Sequence, residues 1–147
     1  MTTQKTCSGL MNTALKIILT LLLLASTTAT PASPSTLSRF IGDWQAVDPD
    51  DGSLQTMTIS RNVDGTTVRV LVHDSYFSLC DGDRGLGQGT GVLSPSRTLT
   101  VADYRLTCFP SGTTKKGPTT LTLNRDGSLT RVLAPPSPAI TYFRYSH

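Results

Sequence analysis

The sequence predicts an all-β domain, an antiparallel meander of about eight or nine short strands, and three observations predict it. Apolar residues beyond position 40 recur mostly at spacing two, and no stretch keeps a helical period for three turns. Asp51-Gly52, Asp64-Gly65 and Asp126-Gly127 each stand between strand-like runs, and Asp-Gly is favoured where a tight hairpin needs positive φ. All ten acidic residues are Asp. With Glu absent, and with 12 Gly and 9 Pro among the 147 residues, a main helix former is missing and turn formers are plentiful. A closed barrel and a β-sandwich both satisfy this pattern.

Residues 1–32 read as a signal peptide and its cleavage region. Ile17 to Ala25 is an apolar run broken only by Thr20, preceded by Lys16 and followed by the small, polar stretch from Ser26. Its nine residues fall far short of the roughly 18 to 20 that a membrane helix needs, so no stable span is expected in the mature form. Ala29 and Ala32 satisfy the small-residue rule for cleavage equally, and Met11 offers a second start with its own short positive end. Cys7 lies in this leader, and no Cys follows the apolar run where lipid attachment would need one. Residues 33–39, rich in Pro, Ser and Thr, read as an extended, flexible tether.

Residues 40–147 form the single β domain. The expected strands are Asp43 to Val47, Leu54 to Ser60, Thr66 to His73, Tyr76 to Cys80, Gly89 to Leu93, Thr98 to Cys108, Thr119 to Asn124, Ser128 to Leu133 and Ile140 to Tyr145, with Thr98 to Cys108 either two strands or one bent one. Val68, Val70 and Val72 alternate with Arg69, Leu71 and His73, as a strand with one core face requires. The recurrence of DGSLQTMTI, DGTTVRVLV and DGSLTRVLA is accounted for by hairpins of one architecture converging on the same turn.

Phe40-Ile41-Gly42-Asp43-Trp44 resembles the F-x-G-x-W opening of calycin barrels, the group that includes lipocalins, avidins and fatty-acid-binding proteins. The resemblance implies an up-and-down barrel in which Gly42, Trp44 and Arg144 form the closure: Trp44 seals one end and Arg144, from the last strand, packs across its ring. It covers only the two ends of the chain. Nothing matches the later signature segments of lipocalins or the biotin-binding residues of avidin.

Cys80 and Cys108 remain after the leader, and in an exported protein two such cysteines pair. The bridge would close a loop of about 28 residues, worth roughly 3.5 kcal/mol by chain entropy. Protein-bound metal is not expected, since two Cys, the internal His73 and no C-x-x-C make no zinc set, and the aspartates crowding 48–51 and 81–83 fit no EF-hand. The Gly-rich stretch from Asp81 to Gly91 matches neither a P-loop nor a dinucleotide fingerprint, and reads as a mobile loop or a bulged strand entry. His73-Asp74-Ser75 has the residue types of a hydrolytic triad, but neighbours on a strand point to opposite faces. Lys115-Lys116 with Arg105 and Arg125 reads as a solvated hairpin tip.

No catalytic constellation emerges, and no enzyme or cofactor is expected. The formal charge of +3 falls to about +1 without Lys5 and Lys16, so a nucleic-acid footprint is not supported. Two functions remain for a secreted or extracytoplasmic barrel. One is binding of a small apolar or amphipathic ligand, lined by Tyr76, Phe77, Tyr142, Phe143 and Tyr145. The other is a structural or interaction module with a filled core, facing a protein or glycan. Interior volume separates them.

Overall fold

Alternating inward and outward residues between Asp-Gly turns produce strands that each bury one face. A computed structural model describes residues 34–49, 51–74, 78–133 and 138–145. A short helix α1 (Pro34–Ser38) precedes β1 (Gly42–Val47), β2 (Leu54–Arg61), β3 (Thr67–Asp74), β4 (Gly85–Leu93), β5 (Thr98–Val101), β6 (Arg105–Cys108), β7 (Thr114–Lys116), β8 (Thr119–Leu123), β9 (Leu129–Leu133) and β10 (Ala139–Arg144). Each strand pairs antiparallel with its neighbours, and β10 returns to β1, with Trp44 opposite Arg144. The sheet thereby closes on itself as an eight-stranded barrel, which removes the edges an open sandwich would expose.

Ten segments make eight staves because β5 and β6 lie end to end along β4. Gly91 pairs with Val101 and Gln88 pairs with Arg105, so residues 89 and 90 face residues 102 to 104. That is a one-residue bulge. Ala102 and Asp103 are both exposed, and the inward alternation resumes at Tyr104. Across from it, β7 and β8 are one stave interrupted at Gly117-Pro118, where Pro118 has no N–H to give a ladder.

The three Asp-Gly turns share one chemistry. Asp51, Asp64 and Asp126 each accept the backbone N–H two residues on, at 2.7, 2.8 and 3.0 Å, and the following Gly52, Gly65 and Gly127 have φ of 76°, 69° and 88°. Asp64 also accepts the Thr67 hydroxyl and amide, and these bonds hold its carboxyl down at about 2.

Strand directions fix two unlike barrel ends. At one end α1 caps the opening, with Leu37 and Phe40 buried beside Trp44. At the other lie the turn at 48–53, the segment before β4 and the turn after β6, joined by the Cys80–Cys108 disulfide with Cα atoms 5.4 Å apart.

Three local expectations are corrected. Pro34 to Ser38 is a helical turn rather than an extended tether, because burial of Leu37 and Phe40 against the core outweighs the weak propensity of a Pro/Ser/Thr segment. Ser78 to Cys80 is a short 3-10 turn rather than the end of a strand. The Gly-rich stretch enters its strand at Gly85 rather than at Gly89 and pairs with β3 from Gly85 to Val92, so residues 85–88 are not a mobile loop, and the bulge lies in the facing stave. The predicted leader, residues 1–32, lies outside the described residues.

Candidate functional site

The inward face of β4 carries Gly at 85, 87, 89 and 91, and this absence of side chains decides what fills the barrel. A Cβ on Gly87 would lie 1.7 Å from the Tyr104 hydroxyl oxygen, and one on Gly91 would lie 2.7 Å from Leu99 Cδ2. Large groups from the other staves therefore reach the β4 backbone. Trp44, Arg131, Tyr142, Phe40, Met57 and Leu129 are all shut off from solvent.

Toward the disulfide end the filling is polar. Gln55, fully buried, accepts from Arg131 Nη2 at 3.0 Å and from the Tyr142 hydroxyl, and its Nε2 donates to Asp48 at 2.8 Å. Arg131 Nη1 donates to the Tyr104 hydroxyl at 3.4 Å, and its guanidinium lies 5.5 Å from the Tyr142 ring centre. Asp74, also buried, accepts from the Ser53 hydroxyl at 3.2 Å. Burial raises the Tyr104 and Tyr142 hydroxyls above the usual 10.0, with Arg131 opposing the rise, so both stay neutral donors and acceptors. This net pairs the buried Gln55, Arg131, Tyr104 and Tyr142 with one another, while of the two Asp74 carboxylate oxygens it is Oδ1 that accepts the Ser53 hydroxyl.

At the capped end, Arg144 Cζ stands 4.4 Å from the Trp44 ring centre. Its two terminal nitrogens donate to the Ile41 and Arg39 carbonyls at 2.8 Å each, while Trp44 Nε1 donates to the Phe40 carbonyl at 2.9 Å. Gly42 makes room for this clamp, since a Cβ there would lie 2.5 Å from Arg144 Nη1.

The aromatic set singled out as ligand-lining is not brought together. Tyr142 is inside the barrel, Phe143 and Tyr145 point outward and are exposed, and Tyr76 and Phe77 lie outside the described residues. Alternation explains the split: consecutive residues of β10 face opposite sides. His73 is exposed and Asp74 buried for the same reason, while Ser75 lies outside the described residues. Among the described residues no cluster of three His, Cys, Asp or Glu is placed to hold a metal.

Open grooves lie on the outside, among the described residues. One, of about 490 Å³, follows the bulge and is lined by Arg69, Gln88, Thr90, Asp103, Arg105 and Lys116 among others. Two at the disulfide end share Leu54; one reaches Phe143 and the other Phe109. Arg69 of the first groove drew no notice in the sequence, where it reads as the wet face of a strand. The register that joins it to Arg105 and Lys116 depends on a bulge that nothing in the local pattern announces. No protein-family model, no curated protein and no solved structure matches this chain.

Proposed function

We propose that this protein is a calycin-like barrel exported from the cytoplasm that acts through its outer surface, as an interaction module, and does not carry a small apolar molecule inside. The observation that carries this reading is the occupied interior: Trp44, Arg131 and Tyr142 are each no more than 1% exposed, and they meet the glycine face of β4 with Tyr104, 3% exposed. A carrier needs an enclosed apolar space of several hundred Å³. Here the same volume is taken by side chains, and by a charged one at its centre.

The F-x-G-x-W opening together with the Trp44–Arg144 stack supports the calycin-like part of the reading. The apolar leader and the Cys80–Cys108 bridge support export. Titration with a fatty acid, a retinoid and a naphthalene-sulfonate probe tests the choice between module and carrier. Trp44 fluorescence and melting temperature are expected to stay unchanged. A saturable rise in melting temperature at one equivalent of any probe overturns the reading, because interior binding stabilises by mass action.

A further inference from the structure

The bulge does more than let Tyr104 turn inward. Across the outer sheet it sets Gln88 of β4 beside Arg105 of β6, and Arg105 directly opposite Lys116 of β7, while Arg69 of β3 stands opposite Thr90. Strands lie about 4.8 Å apart, so these long side chains, one to three strands from one another, can converge on one group. All three cations are exposed and line the same groove. Among the described residues none of their charged heads has a hydrogen-bonding or ionic partner.

Like charges directly opposite one another on a sheet are destabilising, and Arg105 faces Lys116 in that way. Among the described residues Asp103, the acid that lines the groove, makes no ion pair with any of them. Asp103 Oδ1 accepts the Thr90 N–H at 3.0 Å, tying down the amide that faces the bulge. The groove therefore holds three unpaired positive heads and one acid bound to the backbone.

We propose that this groove binds an acidic glycan through its carboxylate or sulfate groups, a reading that rests on the outer-surface function above and gives it a site. The guanidinium forks of Arg69 and Arg105 match planar carboxylates and sulfates. Gln88 and Thr90 offer both donors and acceptors, as sugar hydroxyls require. An acidic peptide is the poorer fit, since peptide partners anchor in apolar pockets, and the groove's apolar lining is limited to Ala102 and a Tyr104 that is 3% exposed.

Calorimetric titration of the protein with a heparin oligosaccharide and an oligogalacturonate, beside neutral dextran, poly-glutamate and a single-stranded oligonucleotide, tests the assignment. At least one acidic glycan is expected to bind, more tightly at low than at high salt, and dextran is not. The triple substitution Arg69→Gln, Arg105→Gln, Lys116→Gln should weaken glycan binding by about tenfold or more. The charge-matched set Arg39→Gln, Arg97→Gln, Arg125→Gln should change it by less than about twofold, separating a site from mere net charge. Lys116→Gln alone removes the opposed like charge, so it should leave the melting temperature unchanged or higher while weakening binding. Equal losses from both triple sets, or tighter binding of poly-glutamate or the oligonucleotide, overturn the glycan assignment. So does absence of glycan binding. In that last case the outer-surface reading stands as long as the hydrophobic probes stay unbound, and it falls only if they enter the barrel.

Discussion

Gln55 and Met57 sit two residues apart on the inward face of β2, both shut off from water, yet they belong to regions built on different physics. Met57 packs with Trp44, Ile59, Val70 and other apolar groups of the capped half. Gln55 is held by Arg131, Tyr142 and Asp48 in the half that leads to the disulfide. The capped half is specified by volume, which many side chains can supply. The other half is specified by direction, because each donor there has few acceptors within reach and an unmet one in a dry interior costs about 1 to 3 kcal/mol. One barrel thus combines a tolerant end with an exacting one.

Volume-conserving swaps at these two positions break the comparison most sharply. Met57→Leu should cost less than about 1.5 kcal/mol. Gln55→Met keeps the size but removes the buried bonds that Arg131, the Tyr142 hydroxyl and Asp48 each make to Gln55, and should cost about 3 to 5 kcal/mol. Urea melts of both variants measure the difference. Equal costs would mean that the polar half is held by packing, like its neighbour.

The same contrast explains what could be read from the chain. The capped half is legible: F-x-G-x-W, a terminal-strand Arg and alternating Val residues are local patterns, and the Asp64-Gly65 and Asp126-Gly127 turns fall where expected. At the other end the Asp51-Gly52 turn and the Cys80–Cys108 bridge are legible too, but the buried polar net is not. Arg131 looks like the wet position of a strand until β9 is placed in the barrel, and the Gly-rich segment looks like a loop because glycine disfavours isolated strands by entropy. What makes β4 a strand is tertiary: pairing along β3 and side chains that reach across from other staves. Propensity sees only the segment itself, so a strand stabilised by the size of its partners is invisible to it. In the exposed basic groove, Arg105 and Lys116 are grouped by the sequence, as a solvated hairpin tip, but Arg69 is not, since it comes from a distant strand set beside them by pairing through β4.

Gly87→Ala sharpens the point at smaller magnitude. The new methyl would collide with the Tyr104 ring and hydroxyl, at 1.7 and 2.3 Å from its outermost atoms, while the Gly87 backbone carries no positive φ. Overpacking of this kind costs about 1 to 3 kcal/mol. Tyr104→Leu should relieve part of it, so the double variant is expected to be more stable than the sum of the single effects predicts. Additive melts would mean that Tyr104 can move aside freely and that the glycine face is not what sets its position.

The capped half has one directional element of its own, and it supplies the smallest of these effects. Arg144 over Trp44 contributes through ring contact and through two bonds to the Arg39 and Ile41 carbonyls, at a site where water still reaches the guanidinium. A double cycle of Trp44→Leu with Arg144→Lys should therefore show a coupling of about 0.5 to 2 kcal/mol, because Lys keeps the charge but loses the planar stack and the fork that spans two carbonyls. Gly42→Ala adds a second arm. Its cost has two sources, the approach of Arg144 Nη1 to 2.5 Å and a backbone φ of 136° that a side chain rarely tolerates. Only the first depends on Arg144. Placing Gly42→Ala in an Arg144→Ala background should thus lower its cost without abolishing it, and the residue that remains measures the backbone strain alone. An unchanged cost would show that the clamp gives way and that Gly42 serves the turn into β1 rather than the stack.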